Sequence, residues 1–402
     1  MFISIFGLLC VVGFLAIFSS TISKSPVLPL FTAYLGADPS AIGFIASISA
    51  FTGIVASIPA GLLSDRFARE KMLLFSLLVF ASAPFLYLLV TELWQLALIR
   101  LYHGLATAIF VPVAMALIAD LFPRARGENI GWFSTANLGG RFLAPTAGGA
   151  ILGTLSYNPE LGFKLVYLLC GVTGTLALLV ALKIPEVRTF VTPSEGKASP
   201  QPDKRWGEIF ASFRLLLSNR PIMITAAVEA SILFAYGTFE TFLPLYSLQI
   251  GLSVQEIGIF ISAQIITLAL TKPIMGRLSD KYGRVPQILL GSFLGAICIG
   301  SFSLFKSFIS ILFLSILFGL SLSIVTSATS AFIADLSKRE TRGSAMGILG
   351  SVMDIGHTTG PLISGFVGLH LGIEKSFIGA SLVIIFLMIV FAAFLFNFSR
   401  SA

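Results

Sequence analysis

The chain has 402 residues, 56% of them hydrophobic and only 11% charged, against roughly 45–50% and 25% in soluble globular domains. Its formal net charge of +7 would suit a nucleic-acid binder, but Lys and Arg cluster in alternate connections between apolar runs, which is a signature of membrane topology. The three cysteines, Cys10, Cys170 and Cys298, all fall inside apolar runs, so neither a disulfide framework nor a Cys-based metal site is written here.

An all-α integral membrane protein of twelve spans is expected, since about 20 apolar residues cross a bilayer as a helix. In chain order the spans are predicted at 4–30, 41–63, 72–91, 94–120, 129–154 and 163–184, then at 221–248, 254–277, 286–305, 308–334, 344–370 and 375–398. The first run lacks the basic n-region and cleavage site of a signal peptide and is read as a retained span. Most of the 26 Lys and Arg fall in the connections after spans 2, 4, 6, 8 and 10. The opposite connections hold Lys164, Lys306 and Lys375. By the positive-inside rule both termini are then cytoplasmic, and the short loops suit a prokaryotic inner membrane.

The second half rewrites the first. GLLSDRFARE at 61–70 returns as GRLSDKYGRV at 276–285, 215 positions later. Pro29-Leu30-Phe31 matches Pro244-Leu245-Tyr246, Gly104-Leu105 matches Gly319-Leu320, and IADL at 118–121 returns at 333–336. Arg126-Gly127 matches Arg342-Gly343, and Ala144-Pro145 matches Gly360-Pro361, both one residue further on at offset 216. The expected organisation is an N-terminal six-helix half at 1–184, a cytoplasmic linker at 185–219 and a C-terminal six-helix half at 220–402. The linker contains TPSEGKASPQPDKRW, a composition that cannot build a core. Parallel halves related about the membrane normal are a secondary-transporter plan.

With these motifs in place, the sequence resembles the major facilitator superfamily over essentially its whole length. The family's loop motif between spans 2 and 3 is matched by Gly61 to Arg69, with Ala68 in place of the usual Gly, and better by Gly276 to Arg284, which keeps Gly283. Its span-4 R-x-x-x-G is matched by Arg100 to Gly104. Its proton-coupled exporters carry a span-5 pattern matched by GRFLAPTAGG, with Gly140, Pro145, Gly148 and Gly149, and loosely repeated in span 11 with Gly356, Gly360 and Pro361. The resemblance implies a proton-coupled efflux antiporter of small organic solutes, working by alternating access. The alternatives are a proton-coupled importer or uniporter of a sugar, amino acid or organic acid, and a transport-inactive sensor or complex partner.

The duplicated loop motif reads as gate chemistry. Gly61 and Gly276 are placed at helix ends, where the missing side chain permits a tight approach or a left-handed turn. Asp65 and Asp280 are short carboxylates suited to a helix N-terminus. The resemblance implies that they dock on spans 11 and 5 when the cytoplasmic side is shut. Arg66, Arg69, Arg126 and Asp120 would complete an ionic lock in one half, and Lys281, Arg284, Arg342 and Asp335 in the other. The bland alternative is that the basic residues only fix orientation.

Charges at membrane depth are costly and each needs a reason. They are Arg100, Arg141, Glu229, Glu240, Asp354 and His357, with Lys24 near the outer end of span 1. Glu229, Tyr236 and Glu240 fall on one helical stripe of span 7. Asn137 and Arg141 are i,i+4 neighbours in span 5, and His357 aligns with Arg141 across the repeat. These faces are expected to meet at a central cavity. Glu229 and Asp354 are the leading proton-site candidates, because an acid in an apolar site can load and release protons near neutral pH. Arg100 and Arg141 are alternatively braces between spans, and Lys24 and Glu240 alternatively snorkel to the interface. No P-loop, H-E-x-x-H or G-x-S-x-G is present, so no enzyme is expected. The expected partners are a small-molecule substrate, protons and the bilayer. No cofactor, metal or nucleic acid is expected, and the chain is expected to work as a monomer.

Overall fold

In a bilayer every backbone N–H and C=O must be satisfied within the segment, which makes helices of these apolar runs. A computed structural model describes residues 5–66, 69–184, 219–337 and 342–401, with the side chains of 57–66, 342–344 and 397–401 outside that description. The described residues form helices and no strand. In the first half they are α1 (Ile5–Ile22), α2 (Val27–Tyr34), α3 (Pro39–Arg66), α4 (Arg69–Tyr87), α5 (Leu93–Leu121), α6 (Arg126–Thr154) and α7 (Pro159–Ala181). In the second half they are α8 (Arg220–Gln249), α9 (Val254–Tyr282), α10 (Arg284–Ser301), α11 (Phe308–Leu336), α12 (Arg342–Leu371) and α13 (Ile373–Ser401).

Taken together as Ile5–Tyr34, α1 and α2 make one span, broken between Ile22 and Val27 where a single helix was expected. Among the described residues ten spans are long and apolar enough to cross a membrane by length and composition. The other two are α6 and α12, of 29 and 30 residues, which carry Arg141, Asp354 and His357 at depth. Their polarity marks them as helices that face something other than lipid. The expected linker lies outside the described residues apart from Asn219.

The repeat is visible in how the helices stop and start. Gly36 ends α2 with φ 84° and Gly251 ends α8 with φ 86°. In each case the next amide, of Ala37 or Leu252, bonds back to Thr32 O or Ser247 O, the pairing that lets a left-handed glycine close a helix. Two residues later Asp38 Oδ1 accepts from Ala41 N at the head of α3. At the equivalent place Ser253 and Glu256 cap α9 reciprocally, a capping box. The chemistry differs between the halves while the geometry is kept.

One expectation is corrected. Gly276 lies inside α9, which runs on to Tyr282, and a Cβ there would meet nothing within 4 Å. The turn is made instead by Gly283, with φ 94°, a conformation that an L side chain resists. The copy of the motif that keeps Gly283 therefore keeps it for the backbone.

By packing, the chain forms two compact units: Met1–Thr192 with Glu240–Ser262, and Pro193–Phe239 with Ala263–Ala402. In the first, α4 packs on α5 and α7, and α1 on α6. In the second, α10 packs on α11 and α13, the equivalent pairs. Gly104 seats α5 on Thr52 of α3, and Gly319 seats α11 on the Gln264 carbonyl of α9, each Cβ position being under 3 Å from its neighbour.

Candidate functional site

The span-5 glycines set helix spacing. A Cβ at Gly140 would stand 2.5 Å from Phe14 O of α1, and one at Gly148 would press on Val27 and Ile22. One at Gly149 would stand 2.7 Å from Val254 O, while Gly258 of α9 lies as closely on Pro145 O. Beside that crossing Thr146 Oγ1 donates to Ser262 Oγ at 2.8 Å, and Ser262 reaches Phe142 O. In the second unit Gly356 and Gly360 of α12 lie on Ala230 O and Phe234 O of α8, each Cβ position 2.2 Å away. Pro361 meets Gly237 on the same crossing. These contacts need glycine, because any side chain would force the helices apart.

The same unit places the depth charges of α1, α5 and α6. Arg100 is 3% exposed, and its Nη1 reaches Tyr87 OH at 3.5 Å. Its Nε and Nη2 have no hydrogen-bond partner, and no carboxylate pairs with it among the described residues. Its side-chain neighbour is the Tyr87 hydroxyl. His103, also buried, meets the same hydroxyl through Nδ1 at 3.3 Å. Asn137 packs over Gly13 of α1, and Arg141, accessible on the same helix, joins it in a cleft of about 180 Å³ with Ile17 and Met115. Lys24, in the break between α1 and α2, pairs with Glu240 Oε2 at 2.8 Å. Glu240 is 7% exposed, so this acid is held in a pair and does not reach out to the interface.

In the second unit Glu229 is completely buried, nine residues into α8. Its Oε2 is 2.5 Å from Thr329 Oγ1 of α11, and its Oε1 has no partner among the described residues. Thr329 Oγ1 is also 2.8 Å from Val325 O. A hydroxyl has one proton and spare lone pairs. Facing a carboxylate, Thr329 donates to Glu229; facing a carboxylic acid, it accepts from Glu229 and donates to Val325 O. Thr329 can thus meet Oε2 in either form of Glu229 without a side-chain rotation, while Oε1 stays without a partner among the described residues in both. Lys272 of α9 is close enough to act on Glu229 electrostatically. Tyr236 lies beside His357 of α12, ring centroids 5.3 Å apart. Asp354, half-buried, sits one turn before His357 on that helix. The stripe expected on span 7 therefore divides: Glu229 turns to α11, Tyr236 to α12, and Glu240 to Lys24.

At the opposite helix ends the repeated charged motif makes a repeated ion pair. Arg69 of α4 pairs with Asp120 of α5 and also donates to Ala116 O at 3.1 Å. In both partners 215 positions on, Arg284 of α10 pairs with Asp335 of α11 at 3.1 Å. Arg284 also pairs with Asp280 and donates to Ser279 Oγ. Arg126 donates to Ala119 O, and Lys281 lies over the Tyr282 ring. The side chains of Gly61, Asp65, Arg66 and Arg342 fall outside the described residues.

Sequence reading overlooked Thr329 and Tyr87. A threonine or tyrosine in an apolar run carries no charge signal, and the Glu229 partner lies 100 positions away. A polar residue facing a buried acid is found only once the helices are paired.

A model of the Major Facilitator Superfamily matches residues 9–255 and again 230–401. The chain belongs to that superfamily. A superfamily relative in Methanocaldococcus jannaschii, the uncharacterized MFS-type transporter MJ1560, is 27% identical over 88% of each chain. Multidrug resistance protein 2 of Bacillus subtilis is 24% identical over 90% of this chain and 88% of its own. Multidrug resistance protein MdtG of Klebsiella pneumoniae is 27% identical over 90% and 86%. The nucleoside transporter NupG superposes with a TM-score of 0.80 at 15% identity, covering 97% of this chain and 98% of its own. A bacterial homolog of the human lysosomal transporter Spinster, inward-facing and occupied, gives 0.79 at 16%, covering 99% and 96%. The chain is a multi-pass membrane transporter of the superfamily, as are the relative MJ1560 and the structural neighbour NupG.

Proposed function

We propose that this superfamily member is a proton-coupled antiporter that exports small, amphipathic organic molecules by alternating access. The observation that carries the reading is Glu229. It is a fully buried acid on α8 whose hydroxyl partner, Thr329, serves both its protonated and its ionised form. A group that carries a proton through a transport cycle must be tolerated in both states, since an unsatisfied buried charge would otherwise trap one of them. The multidrug resistance relatives support the direction and the substrate class.

Asp354 and His357 are the companion titratable groups, next to Tyr236 in the same unit. Arg141 and Asn137, accessible from a cleft against α1 and α5, are the substrate-side candidates in the first unit. The Arg69–Asp120 and Arg284–Asp335 pairs brace the helix ends of each half on the side where the basic connections lie. By charge distribution that side is cytoplasmic, with both termini, in an inner membrane. The reading draws on the proton gradient and invokes no cofactor, and one chain suffices.

The test is pH-gradient-driven efflux of amphipathic dyes in inside-out vesicles, for wild type and Glu229→Gln. Loss of gradient-driven movement in a folded Glu229→Gln protein supports the reading. Equal transport by both proteins moves the coupling site elsewhere, with Asp354 first. Indifference of the wild type to the gradient across a broad panel favours an importer, or a sensor that does not transport.

A further inference from the structure

Arg141 differs from the other cations at depth in what holds it. It stands 15 residues beyond Arg126, the first residue of α6, about 22 Å along the helix at 1.5 Å per residue. From there its side chain cannot snorkel to either interface. Lys24 has Glu240 as its counter-charge, and Arg100 is closed in beside Tyr87 at 3% exposure. Arg141 is accessible, and among the described residues no hydrogen bond or ion pair holds it. It therefore braces nothing, and an ionisable side chain kept at such depth marks a ligand path.

Its surroundings indicate the ligand. The cleft between α1, α5 and α6 is walled by Ile17, Val111, Met115 and Leu138, and no acid lines it. Beside Arg141 stand Ser134, whose hydroxyl donates to Ile130 O, and Asn137, whose Oδ1 is turned against Gly13 of α1. An amide with its oxygen buried in this way has its two N–H donors left to offer. The cleft thus presents a fixed positive charge and N–H donors next to an apolar wall. Its volume of about 180 Å³ is below the roughly 300–1,000 Å³ of a whole small-molecule site, which suits the head group and adjoining ring of a longer ligand.

A cationic head would face the guanidinium with no carboxylate to balance it. A small inorganic anion would leave the apolar wall wet. A carboxylate or sulfonate on an apolar body answers both, because the guanidinium fork takes two oxygens at once. We infer that this cleft binds the head of an amphipathic organic anion, with Arg141 as counter-charge and Asn137 as second donor. The inference rests on the reading of the cleft as the substrate side, and it narrows the exported molecules to ionised organic acids.

The test uses the full chain in nanodiscs of zwitterionic lipid, so that surface charge favours no probe. The probes are three naphthalenes of similar size: 2-naphthoate, the neutral 2-naphthamide and the cation 2-naphthyltrimethylammonium. Ligand-observed NMR titration near neutral pH reads saturable binding. The carboxylate should bind about tenfold more tightly than the amide, the effect of one charge-assisted hydrogen bond, and the cation should not bind. Arg141→Gln should bring the carboxylate to the level of the amide and leave the amide nearly unchanged. Arg141→Lys, which keeps the charge and loses the fork, should fall between. Unchanged amide binding shows that each variant is folded. Equal binding of the three probes, tighter binding of the cation, or a carboxylate preference that survives Arg141→Gln would overturn the site. Proton release is read separately. Arg141-dependent carboxylate binding without proton release supports the site and removes the antiporter reading. Proton release driven by neutral or cationic compounds, with no saturable carboxylate binding, keeps the antiporter and overturns the site.

Discussion

Gly140 and Gly356 stand 216 positions apart and make the same contact: each lies against a main-chain carbonyl, Phe14 O and Ala230 O, and those two are also 216 positions apart. The fifth span on the first and the eleventh on the seventh are therefore one crossing used twice. The sequence repeat, visible as scattered matched letters, is conserved in space as a helix spacing.

Gly356→Ala should lower the thermal unfolding temperature of the purified protein, because its Cβ would meet Ala230 O at 2.2 Å. Overpacking of this kind costs about 1–3 kcal/mol. Gly276→Ala should do the reverse. It sits in open space inside α9, where Ala is favoured over Gly by ~1 kcal/mol. A melt that ranks the two the other way would refute the assignment of these glycines.

Lys24→Ala should be more harmful than Lys24→Ala combined with Glu240→Gln. Removing the lysine takes the ion-pair partner from a 7%-exposed carboxylate, a loss of about 2 kcal/mol for a charged hydrogen bond, whereas the amide needs no counter-ion. If the single and double variants melt alike, Glu240 finds its stabilisation elsewhere.

The duplicated pairs at the other helix ends should matter little for stability. Arg69 and Asp120 are 29% and 58% exposed, and solvent-screened pairs of this kind contribute under about 1 kcal/mol. A double-mutant cycle on Arg69→Ala and Asp120→Ala should therefore show small coupling in the melt. Their effect should appear in transport rate, if they brace a gate. Wild-type rates in both single variants would leave them only a role in orientation.

Much of this was legible from residues alone. The twelve spans were, because a bilayer imposes helix length and apolar composition on each. Gly140 and Gly356 were, because the repeat aligned them. The break before Val27 was not, since that stretch is apolar throughout and a span can be one helix or two. The turn at Gly283 was misplaced to Gly276 because a motif fixes spacing and leaves open which glycine bends. The fate of the span-7 acids was hidden for a deeper reason. Helical periodicity says that Glu229 and Glu240 share a face, but which neighbours cover that face changes along a helix of 30 residues.

Thr329→Val should impair coupling while Thr329→Ser preserves it, since valine keeps the volume and removes the hydroxyl that meets Glu229 Oε2 in both forms. The readout is the pH at which gradient-driven transport is half-maximal, which should move in the valine variant alone. An unmoved midpoint in Thr329→Val would show that the hydroxyl has no part in proton handling.

The most direct measurement of the central claim is proton release from detergent-solubilised protein when an exported compound is added, read with a pH dye in weak buffer. Wild type should release protons on binding, and Glu229→Gln, folded and still able to bind, should release none. Equal release from the two proteins would contradict the account and place the exchanged proton on another group.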